Sequence, residues 1–136
     1  MPLGNTAGIV CRKMETREES RILLIVEDRV DVGRAFARYF RRHFESVLLA
    51  ATPIEAEALL EGDPPPTHVL CDHWLGDEYP VGTVLLPRWR LHYPHLRRAV
   101  LVSGSEIEEI QPPEGVDAVF AKPADMAAIC ESLLVA

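Results

Sequence analysis

Five side chains in this sequence combine oxygen ligands, a hydroxyl and a cation in a way that can do chemistry: Glu27, Asp28, Asp72, Ser103 and Lys122. Each follows directly on a short apolar run. Ile22-Leu23-Leu24-Ile25-Val26 precedes Glu27-Asp28, and His68-Val69-Leu70-Cys71 precedes Asp72. Ala99-Val100-Leu101-Val102 precedes Ser103-Gly104, and Ala118-Val119-Phe120-Ala121 precedes Lys122-Pro123. Three carboxylates brought together repel one another, and a hard divalent cation held through oxygen relieves that repulsion. Mg2+ suits such a set, because it takes few protein carboxylates and keeps water or phosphate oxygens around it. The cation, a hydroxyl and an ammonium offer three ways to neutralise a transferred phosphoryl group. A carboxylate can itself accept that group. The chemistry these residue types fit is Mg2+-dependent phosphoryl transfer onto an aspartate.

For the five to meet, the apolar runs must be neighbouring strands. Unbroken apolar stretches of four or five residues suit strands buried on both faces, as in parallel sheets. Val47-Leu48-Leu49-Ala50 adds another. Between the strands lie helical patterns. Val32, Phe36, Tyr39, Phe40 and His43 or Phe44 recur near helical spacing, with Arg34, Arg38, Arg41 and Arg42 on another face. Thr52-Pro53 supplies an N-cap and an N1 proline for a helix running to Glu61, which Gly62-Asp63-Pro64-Pro65-Pro66 ends. A further helix is predicted over Gly82 to His92, with Pro87 kinking it or breaking its start. The closing helix is predicted over residues 124–134, with Asp125 in its first turn, where an acid suits the helix dipole. Five strands alternating with helices call for an α/β fold: a doubly wound, five-stranded parallel sheet with helices on both faces. In such sheets reactive groups collect beyond the carboxyl ends of the strands.

The 136 residues support one domain with its own core, and 48% apolar content argues against a disordered chain. Residues 1–20 lack a sustained period and are read as a flexible tail, leaving 21–136 as the domain. The formal charge of −7 argues against sequence-independent binding to nucleic acid or an anionic membrane. Of 14 basic residues only Lys13 and Lys122 are lysines. The three cysteines (Cys11, Cys71 and Cys130) share no short spacing, which fits unpaired thiols in a reducing compartment. With no apolar run of signal-peptide or membrane-span length, the expected location is cytoplasmic. His68, Cys71 and His73 surround Asp72, but strand alternation separates them, and Cys71 reads as a small buried hydrophobe rather than a zinc ligand.

The strand-end motifs Leu23-Leu24-Ile25-Val26-Glu27-Asp28, Leu70-Cys71-Asp72, Leu101-Val102-Ser103-Gly104 and Phe120-Ala121-Lys122-Pro123 together resemble the receiver domain of two-component response regulators. The resemblance covers about residues 21–136. It implies a flavodoxin-like sheet of strand order 2-1-3-4-5, with Asp72 as phosphoacceptor. Asp28 would ligate Mg2+ directly, Glu27 mostly through water, and Trp74 through its backbone carbonyl. Ser103 would hydrogen-bond the phosphoryl group, Lys122 would pair with Asp72 and then with phosphoryl oxygens, and a cis peptide would precede Pro123. The donor would be a phosphohistidine on a sensor histidine kinase or a histidine phosphotransfer protein. Because the chain ends with the closing helix, the expectation is a stand-alone receiver signalling through protein contact, with homodimerisation left open. It would catalyse its own modification only, and so would not be an enzyme with an external substrate.

Three departures stand out. The family's usual switch aromatic, three residues before the lysine, is here Val119, and Phe120 falls on the opposite face. The segment from Ser105 to Gly115 is short for a fourth helix, and Pro112-Pro113 cannot continue one, so that helix is expected to be short or absent. The stretch His73-Trp74-Leu75-Gly76-Asp77 lacks the family's common Met-Pro, which leaves Trp74 to restrict water around a phosphoryl group. Val119 and the short segment favour a rival reading, a pseudo-receiver acting as a phosphorylation-independent interaction or dimerisation module. A second rival, an aspartyl-phosphate phosphatase, would need a further acid beside the strand-one motif, where Arg29 stands instead. The arginine face of the first helix suits an acidic partner. The second basic cluster, Arg88, Arg90, Arg97 and Arg98 interleaved with Trp89 and Tyr93, is the feature closest to a nucleic-acid surface.

Overall fold

The computed structural model describes residues 20–104, 112–123 and 125–135. The tail read over 1–20 lies outside these except for Ser20, and so does the acidic segment at 105–111. The strands are β1 (Ile22–Val26), β2 (Ser46–Ala50), β3 (His68–Asp72), β4 (Arg98–Ser103) and β5 (Ala118–Ala121). The helices are α1 (Val30–Phe40), α2 (Pro53–Leu60), α3 (Gly82–His92) and α4 (Met126–Leu133). The sheet has the order β2-β1-β3-β4-β5, and every neighbouring pair is parallel. This is the α/β doubly wound arrangement that the alternating pattern calls for.

Alternation along each strand divides the core into two layers. Leu24, Val26, Val69, Cys71, Ala99 and Leu101 face α2 and α3, meeting Ala56, Leu60, Leu85, Leu86 and Trp89. Leu23, Ile25, Leu70, Val100 and Val102 face α1 and α4, meeting Phe36, Phe40, Ile129 and Leu133. Burying one such side chain contributes roughly 1.5–3 kcal/mol, so the two layers dominate the stability of the sheet. β1 and β3 are buried along their whole length because each has a strand on either side and helices above and below.

Register then fixes the site. Val26 pairs with Ala50 and with Cys71, Asp72 with Val102, and Ser103 with Ala121. The carboxyl ends of the strands are therefore level, and the residues just past them share one edge.

Local capping follows the sequence closely. Thr52 Oγ1 accepts from Glu55 N at 3.1 Å, and Glu55 Oε1 accepts in return from Ala51 N at 2.8 Å. Several boundaries differ from expectation. α1 ends at Phe40, so Arg41 and Arg42 lie in the turn after it rather than on a helix face. Asp125 caps α4 from outside, accepting from Ala127 N at 2.9 Å and Ala128 N at 3.4 Å, because a short acid bonds orphan amides better from the cap than from the first turn. Pro87 does not break α3, which runs unbroken from Gly82 to His92. The turn at Gly115 packs directly on it. A Cβ at Gly115, whose φ is +85°, would stand 2.7 Å from Pro87 Cα.

Candidate functional site

β1 and β3, neighbouring inner strands, deliver Glu27, Asp28 and Asp72 to one place. One carboxylate oxygen from each lies within 4.8 Å of the others. Glu27 and Asp72 are buried and Asp28 is exposed. Lys122 reaches in from the end of β5. Its Nζ stands 3.1 Å from Asp72 Oδ1 and 3.6 Å from Glu27 Oε1. The backbone holds it there, since Lys122 N donates to Ser103 O at 2.8 Å and the Lys122–Pro123 peptide is cis.

One ammonium cannot balance three acids. Burial, reinforced by the charge on Asp72, pushes the Glu27 carboxyl up to about 7, against the opposing pull of Arg29 N and Lys122. Burial also raises Asp72, although Lys122 pulls the other way. Burial alone would lower Lys122, but the Asp72 and Glu27 charges outweigh it and raise the lysine. The site therefore holds an excess of negative charge in a partly desolvated setting. Its donors are all oxygens, and Asp28 opens to solvent, so the set fits a hard divalent cation that keeps part of its water.

Ser103 closes β4 at the same edge. It is only 2% exposed, and among the described residues its Oγ has no hydrogen-bond partner. A buried hydroxyl without a partner carries a desolvation cost of about 1–3 kcal/mol, which a bound acceptor would relieve. It opens onto a cleft of about 460 Å3 lined by His73, Trp74, Val81, Ser103 and Gly104. The loop forming the cleft wall is pinned at its root. His73 N donates to Val102 O, and Gly82 N donates to His73 O, both at 2.8 Å. Gly82 permits this, since a Cβ there would collide with the Leu101 side chain and stand 3.1 Å from Asp72 O. Val81 carries no signal in the sequence, while Gly82 is legible only as a helix start and Gly104 only as part of the Ser103-Gly104 strand end.

The geometry thus brings Glu27, Asp28, Asp72 and Lys122 together, and sets Ser103 and Trp74 on the adjoining cleft. His68 does not join them. It lies at the far end of β3, with Nδ1 2.7 Å from Thr67 Oγ1 and its ring against Phe44. Cys71 is buried in the core, where desolvation raises its thiol. The second basic cluster is largely spent on structure. Arg90 pairs with Asp117 at 2.8 Å, Arg98 bonds Ser132 O at 2.7 Å, and Arg97 bonds Ser20 O at 2.6 Å. Trp89 and Tyr93 are buried, donating to Glu57 and Glu61, so neither ring offers a stacking surface to nucleic acid. Val119 packs on the α2/α3 side and Phe120 on the α1/α4 side, as alternation requires.

No protein-family model and no curated protein matches the sequence. Solved structures do resemble this one. The receiver domain of NtrX from Brucella abortus superposes with a TM-score of 0.68 at 25% identity, over 82% of this chain and 97% of that one. The N-terminal signal receiver domain of a two-component response regulator from Bacteroides fragilis gives 0.71 at 24%, over 85% and 94%. A response regulator from Burkholderia pseudomallei, crystallised with a phosphorylated aspartic acid, a calcium ion and citrate, gives 0.68 at 23%. That match covers 84% of this chain but 66% of the other, so this chain spans just under two thirds of that protein. The chain has the fold of response-regulator receiver domains.

The raised Glu27 carboxyl carries a pH signature. The folded state binds its proton more tightly than the unfolded chain, so stability falls as pH rises from about 4.5 to about 7. The metal-free Glu27→Gln variant is expected to be more stable than wild type at pH 8, by on the order of 1–3 kcal/mol, with little difference below pH 4.5. Urea unfolding at the two pH values checks this; equal midpoints at pH 8 would contradict it.

Proposed function

We propose that residues 21–136 form a phosphorylation-dependent signalling receiver that accepts a phosphoryl group on Asp72. The observation that carries the reading is the contact of Lys122 Nζ with Asp72 Oδ1 at 3.1 Å, inside a three-carboxylate cluster. A lysine so placed orients the nucleophilic carboxylate and remains beside it to offset charge on an incoming phosphoryl group. Asp28 and Asp72 would hold a divalent cation directly and Glu27 mostly through water, with the Trp74 backbone carbonyl as a further oxygen ligand. Mg2+, when bound there, supplies Lewis-acid neutralisation of phosphoryl oxygens. Ser103 Oγ, buried and unpartnered, donates to one of those oxygens and so registers the modification.

The donor in this reading is a phosphohistidine on a sensor histidine kinase or a histidine phosphotransfer protein. The exposed Arg34 and Arg38 on α1, with Arg41 and Arg42 just beyond, suit an acidic partner surface. The domain modifies itself and turns over no external substrate. A cytoplasmic setting goes with this reading, and among the described residues no helix is long and apolar enough to cross a membrane.

One observation favours a second reading, a pseudo-receiver acting by contact alone. Val119 is half-buried on the α2/α3 layer and has no ring to swing toward Ser103. Incubation with Mg2+ and acetyl phosphate, followed by intact-mass measurement, decides between them. A phosphate adduct on wild type that is absent from Asp72→Asn is expected; no adduct with acetyl phosphate or phosphoramidate would hand the case to the pseudo-receiver. The exposed indole of Trp74 beside the cleft also screens the acyl phosphate from water. Trp74→Asn is therefore expected to lose phosphate several-fold faster than wild type, measured by the decay of the adduct. Equal decay would remove that role.

A further inference from the structure

β2 is one of the two outer strands of the sheet, and its free edge carries none of the usual protection. Glu27 N donates to Ala50 O at 3.0 Å. Alternation therefore turns the N–H and C=O groups of Ser46, Leu48 and Ala50 toward β1, and those of Val47 and Leu49 away from it. Soluble proteins blunt such an edge with a charge, a proline or a bulge. Ser46-Val47-Leu48-Leu49-Ala50 contains no charge and no proline, and it pairs with β1 residue for residue along its whole length. Its apolar side chains are also incompletely covered. Val47 and Leu48 are half-buried, and Leu49 is 39% exposed. Gly33 of α1 stands over Leu49 without a side chain, since even an added Cβ would lie 3.8 Å from Leu49 Cδ2. A cavity of about 300 Å3 remains beside the strand, lined by Ile25, Val30, Gly33 and Leu49 among others.

We propose that this edge is a homodimer interface, in which β2 of one copy pairs antiparallel with β2 of a second across a two-fold axis perpendicular to the sheet. The interface is independent of the role of Asp72. A second copy fits because the edge is complementary to itself, as a two-fold contact requires. The outward groups fix the register. Val47 of each copy exchanges both of its backbone hydrogen bonds with Leu49 of the other, and the axis passes between the two Leu48 residues. Every side-chain pair across the axis is then apolar. Leu49 lies beside Val47 of the other copy on the α1 side, and Leu48 lies beside Leu48 on the α2 side. The charges on α1 also complement one another. Asp31 stands in its first turn and Arg38 in its last, with Arg41 and Arg42 just beyond, all exposed. The axis runs the two α1 helices antiparallel, so the acidic end of each lies beside the basic end of the other. Arg34, midway between them, meets its own copy and works against the pairing.

Sedimentation equilibrium of the full chain, from about 10 μM to about 1 mM, tests the association. The wild type is expected to pass from one copy to two as concentration rises. Leu49→Lys puts a charge on the exposed edge and is expected to weaken the association about tenfold or more. Leu91→Lys, at the 89% exposed leucine on α3, is expected to leave it unchanged. A wild type that stays single throughout overturns the interface, as does association that Leu49→Lys leaves intact or that Leu91→Lys weakens equally. Cross-linking in a Cys11→Ser background reads the register, since Cys71 and Cys130 are buried. Leu48→Cys is expected to form a disulfide between copies on mild oxidation, because facing residues of a non-hydrogen-bonded pair have Cα atoms about 4.5 Å apart. Val47→Cys is expected to stay reduced, since its own copy lies two residues further along, beyond the roughly 7 Å that a disulfide spans. No disulfide from Leu48→Cys, or one formed as fast by Val47→Cys, overturns the pairing.

Discussion

The repulsion among Glu27, Asp28 and Asp72, held together against it, is the constraint around which the rest of this structure is arranged. Two buried carboxylates and one exposed one would separate if they sat on mobile loops. They cannot separate here, because β1 and β3 are hydrogen-bonded neighbours buried on both faces, in a register that sets Val26 opposite Cys71. The two apolar layers supply the stability that keeps the acids close. Lys122 offsets part of the charge. Burial first, and then the charge on Asp72, still lift the Glu27 carboxyl to about 7, a penalty that a cation can relieve.

The other parts of the edge follow from that arrangement. Asp117 bonds Ala99 N at 2.8 Å and pairs with both Arg90 and Arg98, so the start of β5 is tied to β4 and to α3. That anchorage sets the strand whose far end carries Lys122. Gly82 brings α3 back against His73, which fixes the loop leaving Asp72 and makes the cleft onto which Ser103 opens. Val119 lies on the opposite layer from Phe120, so at that position of β5 the α2/α3 layer has an aliphatic side chain and no ring.

Much of this was legible in the residues. The unbroken apolar runs ending in Glu27, Asp72, Ser103 and Lys122 mark strands buried on both faces, and parallel topology then forces their ends to one edge. Thr52-Pro53 announces its helix because cap chemistry is local. What stayed hidden is long-range. Trp89 and Tyr93, set among arginines, are the feature closest to a nucleic-acid surface, yet both are buried in the core, with Glu57 on α2 and Glu61 at its C-terminal cap accepting their polar hydrogens. Ser103-Gly104 alone is a turn signal, and only β4 burial turns its hydroxyl inward. The tie between Asp117 and two arginines 19 and 27 positions away leaves no pattern in sequence. Gly82 and Gly115 needed the neighbouring atoms to reveal why a side chain does not fit.

If one edge of the sheet takes a phosphoryl group on Asp72 with help from a cation, Ser103 and Lys122, a mimic of that group binds there in the same way. The most direct measurement is a crystal structure of the protein with Mg2+ and beryllofluoride, a tetrahedral mimic of a phosphoryl group bonded to a carboxylate. The account predicts beryllium on an Asp72 carboxylate oxygen, a fluoride within hydrogen-bond distance of Ser103 Oγ and another near Lys122 Nζ, with Mg2+ held by Asp28 and Asp72. Beryllofluoride absent from Asp72 at saturating concentration, with Lys122 and Asp72 still paired as they are here, would contradict it.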